Sequence, residues 1–363
     1  MSAVLPCIEI EGRRIGAGSS TYVVAELSGN HGQRFEDAVA IVRAAKAAGA
    51  DAVKLQTYTP DTITIDSDSD VFQVPAGTQW SGRTLYDLYS EAFTPWEWQP
   101  ELKALACELG LHCFSSPFDA TAVEFLEQMD VPAYKVASFE LVDLALIERI
   151  ARTGKPIILS TGLATRVEIA DAIRTARAAG ATQLALLKCT SAYPAPVDEM
   201  NLRAIPRLAA EFGVPVGLSD HTLGSEVATA AVALGACIVE KHLTLSRNTP
   251  GPDSAFSLEP HEFRLLVDGI RSLERALGTG EDGLAPSELP NRAFRRSLFV
   301  VADVGAGELF TPENVRSIRP ADGLSPRHYA DVIGRRAARN IARGTPLSWP
   351  LVAAEGPGDE SHA

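Results

Sequence analysis

No long apolar run, no CxxC spacing and no surplus of positive charge occurs in this 363-residue sequence, and no dinucleotide-type glycine fingerprint follows its first apolar run. Each absence removes a class of function. The stretch Met1 to Gly18 alternates short apolar pieces with Glu and Arg, so neither a signal peptide nor a membrane anchor is expected, and the chain reads as unexported and cytoplasmic. The five cysteines, Cys7, Cys107, Cys113, Cys189 and Cys237, are scattered and odd in number, which argues against a disulfide framework or a zinc ribbon. Cys189 and Cys237 fall inside apolar runs and read as small core residues without chemistry. With 46 acidic against 33 basic residues the net charge is -13, so nucleic acid and anionic membranes are poor partners, and any bound anion must be met by local cations.

What is present is a repeated unit. Eight short, mostly continuous apolar runs end in polar residues: Tyr22–Ala25, Ala52–Leu55, His112–Phe114, Ala133–Ala137, Pro156–Leu159, Leu184–Leu187, Pro215–Leu218 and Cys237–Val239. Such runs suit parallel strands buried on both faces. Between them lie helical patterns; in the first, Ala38, Ile41, Val42, Ala45 and Ala48 line one face, and Gly49 ends it. Later helices close in the same way at Gly110, Gly154, Gly180, Gly213 and Gly235.

Eight βα units predict an α/β fold, a (β/α)8 TIM barrel, with an open doubly wound sheet as the alternative. The first strand is followed by Glu26-Leu27-Ser28-Gly29-Asn30-His31 rather than GxGxxG, which weakens the open sheet. The longest interruption, Thr57 to Thr94, carries Asp61, Asp66, Asp68, Asp70, Trp80 and Tyr86 and reads as a substrate-side loop. The expected division is a barrel over 1–280, a Gly/Pro/acidic linker over 281–294, a small turn-rich domain over 295–352 and a flexible tail over 353–363.

In a TIM barrel the active site lies at the C-terminal strand ends, so the polar residues closing each run form a candidate ring. His221 and His242 close neighbouring strands seven and eight and could share one divalent metal with open coordination positions. The plainer alternative is that each only hydrogen-bonds nearby backbone. Lys54 and Lys135 could hold a highly charged anion, with Ser138, Ser160 and Ser219 adding hydroxyl donors; alternatively the lysines pair structurally with Glu26 and Glu140. Those two glutamates are candidates for moving protons. Asp253, in Pro250-Gly251-Pro252-Asp253, is a loop carboxylate for chemistry or simply for a turn.

The motifs Ala25 to His31, Lys54-Leu55-Gln56-Thr57, Phe114 to Phe118, Ala133 to Ser138, Leu159 to Gly162, Gly217 to Thr222 and Pro250 to Asp253 together resemble the sialic acid synthase family. In the tail, Arg295 to Leu298 and Ser317 to Pro320 look like that family's antifreeze-like (SAF) domain. The resemblance implies condensation of phosphoenolpyruvate with an open-chain amino-sugar aldehyde, with C–O cleavage, phosphate release and a divalent metal, Mn2+ before Mg2+ or Co2+. By position, His221 and His242 would hold the metal. Lys54, Ser116, Lys135, Ser138, Ser160 and Ser219 would hold phosphoenolpyruvate. Gln56, Ser191, Tyr193 and Asp253 would face the sugar, joined by Phe294 and Arg319 from the partner's small domain in a domain-swapped homodimer. Glu26, Lys135, Glu140 and Asp253 form the implied catalytic set, with Glu26 activating the attacking water. Within the family, Thr57 to Thr62, Leu85 to Tyr89, Thr94 to Trp98 and Lys188 to Ser191 look most like the pseudaminic acid synthases. N-acetylneuraminate synthases usually carry Asn where Ser191 stands.

Legionaminic and N-acetylneuraminic acid synthesis remain the enzymatic alternatives. Synthases of seven- and eight-carbon sugars share barrel and cosubstrate but lack such a C-terminal domain. A non-catalytic carbohydrate- or ice-binding protein, prompted by the tail, leaves the strand-end ring without a purpose.

Overall fold

The computed structural model describes residues 6–78 and 80–354, and the chain forms two compact units, one ending at Thr279 and one beginning at Gly280. Of the expected tail, residues 355–363 lie outside the described segment, as do residues 1–5 at the other end.

The first unit opens with strands β1 (Cys7–Ile10) and β2 (Arg13–Gly16), an antiparallel hairpin. The eight apolar runs follow as β3 (Tyr22–Glu26), β4 (Ala52–Thr57), β5 (His112–Pro117), β6 (Tyr134–Val136), β7 (Ile157–Ser160), β8 (Leu184–Cys189), β9 (Val216–Asp220) and β10 (Ile238–His242). All pair in parallel, and β10 closes against β3 to complete a barrel. The open-sheet alternative is therefore excluded. Several strands run past their apolar stretch, so Glu26, Gln56, Ser116, Ser160 and His242 are within strands rather than after them. That places their side chains by the strict two-residue alternation of a strand.

Helix Phe35–Ala48 buries Ala38, Ile41, Val42, Ala45 and Ala48, the face its spacing predicts. Gly49 ends it in the left-handed conformation at φ 88°, donating its N–H back to Ala45 and Lys46 carbonyls, which an L side chain would make strained. The outward-facing strand residues, such as Val23, Val53, Val136, Leu159 and Leu218, join these helix faces in one continuous core.

The barrel interior has its own apolar floor. Tyr22, Val24, Ala52, Phe114, Ala133, Ile158, Ala185, Leu187 and Ile238 cluster there with Ile8, Ile10 and Ile15 of the β1–β2 hairpin. This hairpin was not separated from the N-terminal apolar pieces by the sequence pattern, because its four-residue strands are too short to show a period. The long connection after β4 is more ordered than a loop: it contains helix Leu85–Ala92, capped by Thr84 accepting from the Asp87 N–H.

The second unit begins with exposed residues and a short 3-10 helix, Pro286–Phe294, in the stretch expected to be a linker. Beyond it β11 (Ser297–Val300) pairs antiparallel with β12 (Val315–Ile318). Leu298, Val300, Phe310, Val315, Val332, Ile341 and Leu347 form a separate small core.

Candidate active site

Alternation along the strands changes the barrel interior from apolar to polar toward the C-terminal ends. Ala52 is followed on the same face by Lys54 and Gln56, Phe114 by Ser116, Ala133 by Lys135, Ile158 by Ser160, and Ile238 by Glu240 and His242. Lys54, Lys135, Glu26, Glu240, Ser116, Ser160, Ser219 and His242 are all buried. Burying this many ionisable groups is costly unless they are paired or serve a ligand.

The lysines are shared between two carboxylates. Lys54 Nζ lies 2.5 Å from Glu26 Oε2 and 3.6 Å from Glu240 Oε1, and it donates to Ser116 Oγ at 3.3 Å. Lys135 Nζ meets Glu240 Oε1 at 3.6 Å, beyond hydrogen-bond length. The structural pairing expected with Glu26 is therefore real for Lys54, while the second partner is Glu240 rather than Glu140. Burial presses Glu240 toward neutrality, but Lys135 and Lys54 outweigh it and hold the carboxylate below its ordinary range. Burial lowers Lys135, so of the two it is the cation with more to gain from an incoming anion.

Glu240 directly follows the apolar run Cys237–Val239 and so belongs to the ring of polar residues that close the runs, though the sequence alone assigns it no role. The register shows why it is central: it faces Ser219 across β9, and Ser219 Oγ donates to it at 3.3 Å. Two other ring members face outward. Lys241 and Asp220 form a buried ion pair at 2.6 Å on the helix side of the sheet.

Glu26 Oε1 accepts from the Ser28 N–H at 3.0 Å and from Gln56 Nε2 at 3.1 Å; burial raises its pKa despite Lys54. Ser28 Oγ in turn donates to Asp253, which is itself raised by burial. Glu140, on the short helix Phe139–Val142 after β6, has a buried Oε2 without a hydrogen-bond partner, and burial pushes it up to about 7. Ser160 Oγ and His242 Nδ1 are also buried without partners. Orphaned polar atoms at or just beyond the C-terminal strand ends, on Glu140, Ser160 and His242, are what a site that completes its hydrogen bonds with a ligand would show.

His221 and His242 come together as expected, ring centroids 5.3 Å apart and edge to face. His221 Nδ1 is 3.2 Å from the Thr190 carbonyl oxygen, so an Nδ1–H donated there leaves Nε2 as a lone pair. His242 is held well below its ordinary pKa chiefly by burial. Its Nδ1 lies 3.9 Å from Asp253 Oδ2.

An aromatic wall stands beside the histidines. Tyr193 packs 4.5 Å from the His221 ring, 5.2 Å from Phe256 and 5.5 Å from Trp80, and Trp80 Nε1 donates to the Pro252 carbonyl at 2.7 Å. Trp80 belongs to the loop expected on the substrate side, whereas Phe256 does not stand out in the sequence, since a lone aromatic in a loop carries no periodic signal. Ser138 and Ser191 converge on Gly162, whose N–H donates to Ser138 Oγ at 3.2 Å. A Cβ on Gly162 would fall 2.1 Å from Ser191 Oγ and 2.6 Å from Ser138 Oγ. Phe294 and Arg319 lie on the second unit, both exposed.

Fold and site together define a TIM-barrel enzyme with buried lysines, serines and a pair of histidines at the C-terminal ends of its strands. The chain belongs to the NeuB family, whose pattern matches residues 41–282, with an SAF domain at 295–353. It is 46% identical to the pseudaminic acid synthase of Helicobacter pylori, over 90% of this chain and 96% of that one. It is 36% identical to the N,N'-diacetyllegionaminic acid synthase of Legionella pneumophila, over 93% and 96%. Among solved structures, the Bacillus subtilis spore coat polysaccharide biosynthesis protein spsE superposes with a TM-score of 0.65 at 32% identity, covering 96% of this chain and 100% of its own.

Proposed function

We propose that the chain condenses phosphoenolpyruvate with 2,4-diacetamido-2,4,6-trideoxy-L-altrose and water, giving pseudaminic acid and phosphate. The observation that carries this reading is the buried set in which Lys54 and Lys135 flank Glu240, accompanied by Ser116, Ser138, Ser160 and Ser219. Two fixed cations and a set of hydroxyl donors suit a ligand bearing both phosphate and carboxylate, and they need no reorganisation when charge moves in the reaction. The greater identity to a pseudaminic than to a legionaminic acid synthase and the Ser at 191 favour the altro sugar.

The alkene carbon of phosphoenolpyruvate forms a bond to the aldehyde carbon of the sugar. Water adds at C2, the C2–O bond to phosphate breaks, and phosphate leaves with its bridging oxygen. Glu26, raised in pKa and fixed by Ser28 and Gln56, takes the proton of the attacking water. Lys54 and Lys135 hold the phosphate, and Glu140, near neutrality in its affinity for a proton, is poised to exchange one with the reacting centre. Trp80, Tyr193 and Phe256 form a dry wall for the sugar, with Gln56, Ser191 and Asp253 contributing its polar contacts.

His221 and His242 fit a divalent metal, Mn2+ in the first instance and Mg2+ or Co2+ as alternatives, because His242 is neutral and keeps an unpartnered buried nitrogen. Among the described residues no cluster of three or more His, Cys, Asp or Glu is arranged around one ion, so two imidazoles would leave most of the coordination shell to substrate and water. When bound, the metal supplies Lewis acidity toward the aldehyde oxygen. We place the enzyme in the cytoplasm, the compartment that suits its five free cysteines. Its working form is a domain-swapped homodimer, in which the partner's Phe294 and Arg319 close the sugar side.

Phosphoenolpyruvate carrying 18O at the bridging oxygen tests the reaction course. Turnover with the amino sugar and Mn2+ should place all label in phosphate. Label retained in the sugar product would contradict C–O cleavage, and no phosphate release at all would contradict the synthase reading.

A further inference from the structure

The two strands that lead to the histidines also carry a pair of ionic side chains, on the opposite face. Asp220 directly precedes His221, Lys241 directly precedes His242, and the two are paired in register across β9 and β10. Lys241 Nζ donates to Asp220 Oδ2 at 2.6 Å and to the Thr222 carbonyl at 2.6 Å. Asp220 Oδ1 accepts from the Thr222 N–H at 2.9 Å and from Thr222 Oγ1 at 2.8 Å. Both charged side chains are fully buried, at 0% and 0% exposure.

A buried ion pair is a poor way to add stability, because desolvation consumes most of the attraction and an apolar pair of similar volume does as well or better. What this pair supplies is geometry. Asp220 and Thr222 stand on either side of His221, and the single ammonium of Lys241 binds both to the residue beside His242. The four bonds leave the chain around His221 little freedom to shift relative to β10. Groups hydrogen-bonded to metal-binding histidines fix their orientation, and losing them weakens the metal about 10- to 100-fold; Lys241 and Asp220 act one step further back, through the backbone that carries the two rings.

We propose that Lys241 and Asp220 are positioning residues, a clamp behind the sheet that sets the separation and tilt of the His221 and His242 imidazoles for a divalent cation. The inference rests on the metal reading above and extends it to two residues that touch neither substrate nor ion.

The test is Mn2+ binding by the full-length protein, read as loss of the free-ion EPR signal with Mn2+ alone, alongside the melting temperature. Lys241→Met leaves Asp220 buried without its counter-charge and should lower both stability and affinity. Asp220→Asn with Lys241→Met removes the uncompensated charge while the Asn oxygen still accepts from Thr222, so stability should return. A clamp predicts that Mn2+ affinity stays about 10- to 100-fold weak in the double variant; a merely structural pair predicts that affinity returns with stability, which would overturn the proposal. If Lys241→Met does not fold, Thr222→Val, which removes only the hydroxyl bond to Asp220, should still weaken Mn2+ binding several-fold, and unchanged affinity would contradict the clamp. Wild-type protein that binds no Mn2+ would instead remove the metal reading, a result distinct from failure of the clamp.

Discussion

Glu26 Oε2 sits 2.5 Å from Lys54 Nζ, from the position that faces it on the neighbouring strand of the barrel. Both are buried, and the same ammonium is 3.6 Å from Glu240. Removing that cation should therefore do two separable things. Lys54→Met leaves two buried carboxylates with Lys135 as their shared counter-ion, at a cost of about 3 kcal/mol, and it should abolish phosphoenolpyruvate binding. Adding Glu26→Gln should restore much of the stability and none of the turnover. Melting curves and phosphate release distinguish the two; recovery of both in the double variant would deny Lys54 a role in the substrate site.

Glu140 gives a pH dependence with a definite sign. Its pKa is raised by burial from an ordinary 4.5 to about 7, so between those values the folded protein holds a proton the unfolded chain has released. Stability of the ligand-free protein falls as pH rises through this window, by up to about 3 kcal/mol. Glu140→Gln cannot lose that proton. Chemical denaturation should find the variant more stable than wild type at pH 8 and equal to it near pH 4; parallel curves at both pH values would show that Glu140 is not held near neutrality.

Gly162 tests the serine cradle. Its missing Cβ leaves the space in which Ser138 and Ser191 hydroxyls approach, at 2.6 and 2.1 Å from where that carbon would be. Ser191 can rotate away, so Gly162→Ala should cost only about 1–3 kcal/mol of stability. The KM for phosphoenolpyruvate or the sugar should rise by about tenfold or more, because the hydroxyls are displaced by an ångström or so. Unchanged steady-state constants would take Ser138 and Ser191 out of the binding surface.

Truncation separates the units. The barrel and the second unit have independent cores, so a chain ending at Thr279 should fold with native-like far- and near-ultraviolet circular dichroism. If a partner's small domain closes the sugar side, its activity should drop by about 10²-fold or more. Full activity in the truncated protein would refute the swapped arrangement.

The barrel was legible because its signal is repeated. Each strand is a continuous apolar run, as burial on both faces demands, and helix Phe35–Ala48 shows its buried face in the spacing of Ala38 to Ala48. The convergence of His221 and His242 followed from their equivalent places on neighbouring strands. Other features needed the three-dimensional register. Glu240 and Lys241 are adjacent in sequence, and only strand alternation sends one to the catalytic face and the other to the helix side. For Glu140 the sequence offers both a proton-moving role and a pairing with lysine; the structure sets it after β6 on a separate short helix with an unpaired oxygen, away from the lysine pairing. Trp80 reaches Tyr193 and Pro252 across a sequence separation that no local pattern encodes.

The central claim is the substrate. Phosphoenolpyruvate and Mn2+ supplied separately with the 2,4-diacetamido-trideoxy altrose, its legionaminate-pathway counterpart and N-acetylmannosamine, with phosphate release and product mass followed together, test it most directly. The account predicts turnover with the altro sugar in clear preference to the other two, and a product of the mass of pseudaminic acid. Preferred turnover of either of the others would contradict the assignment.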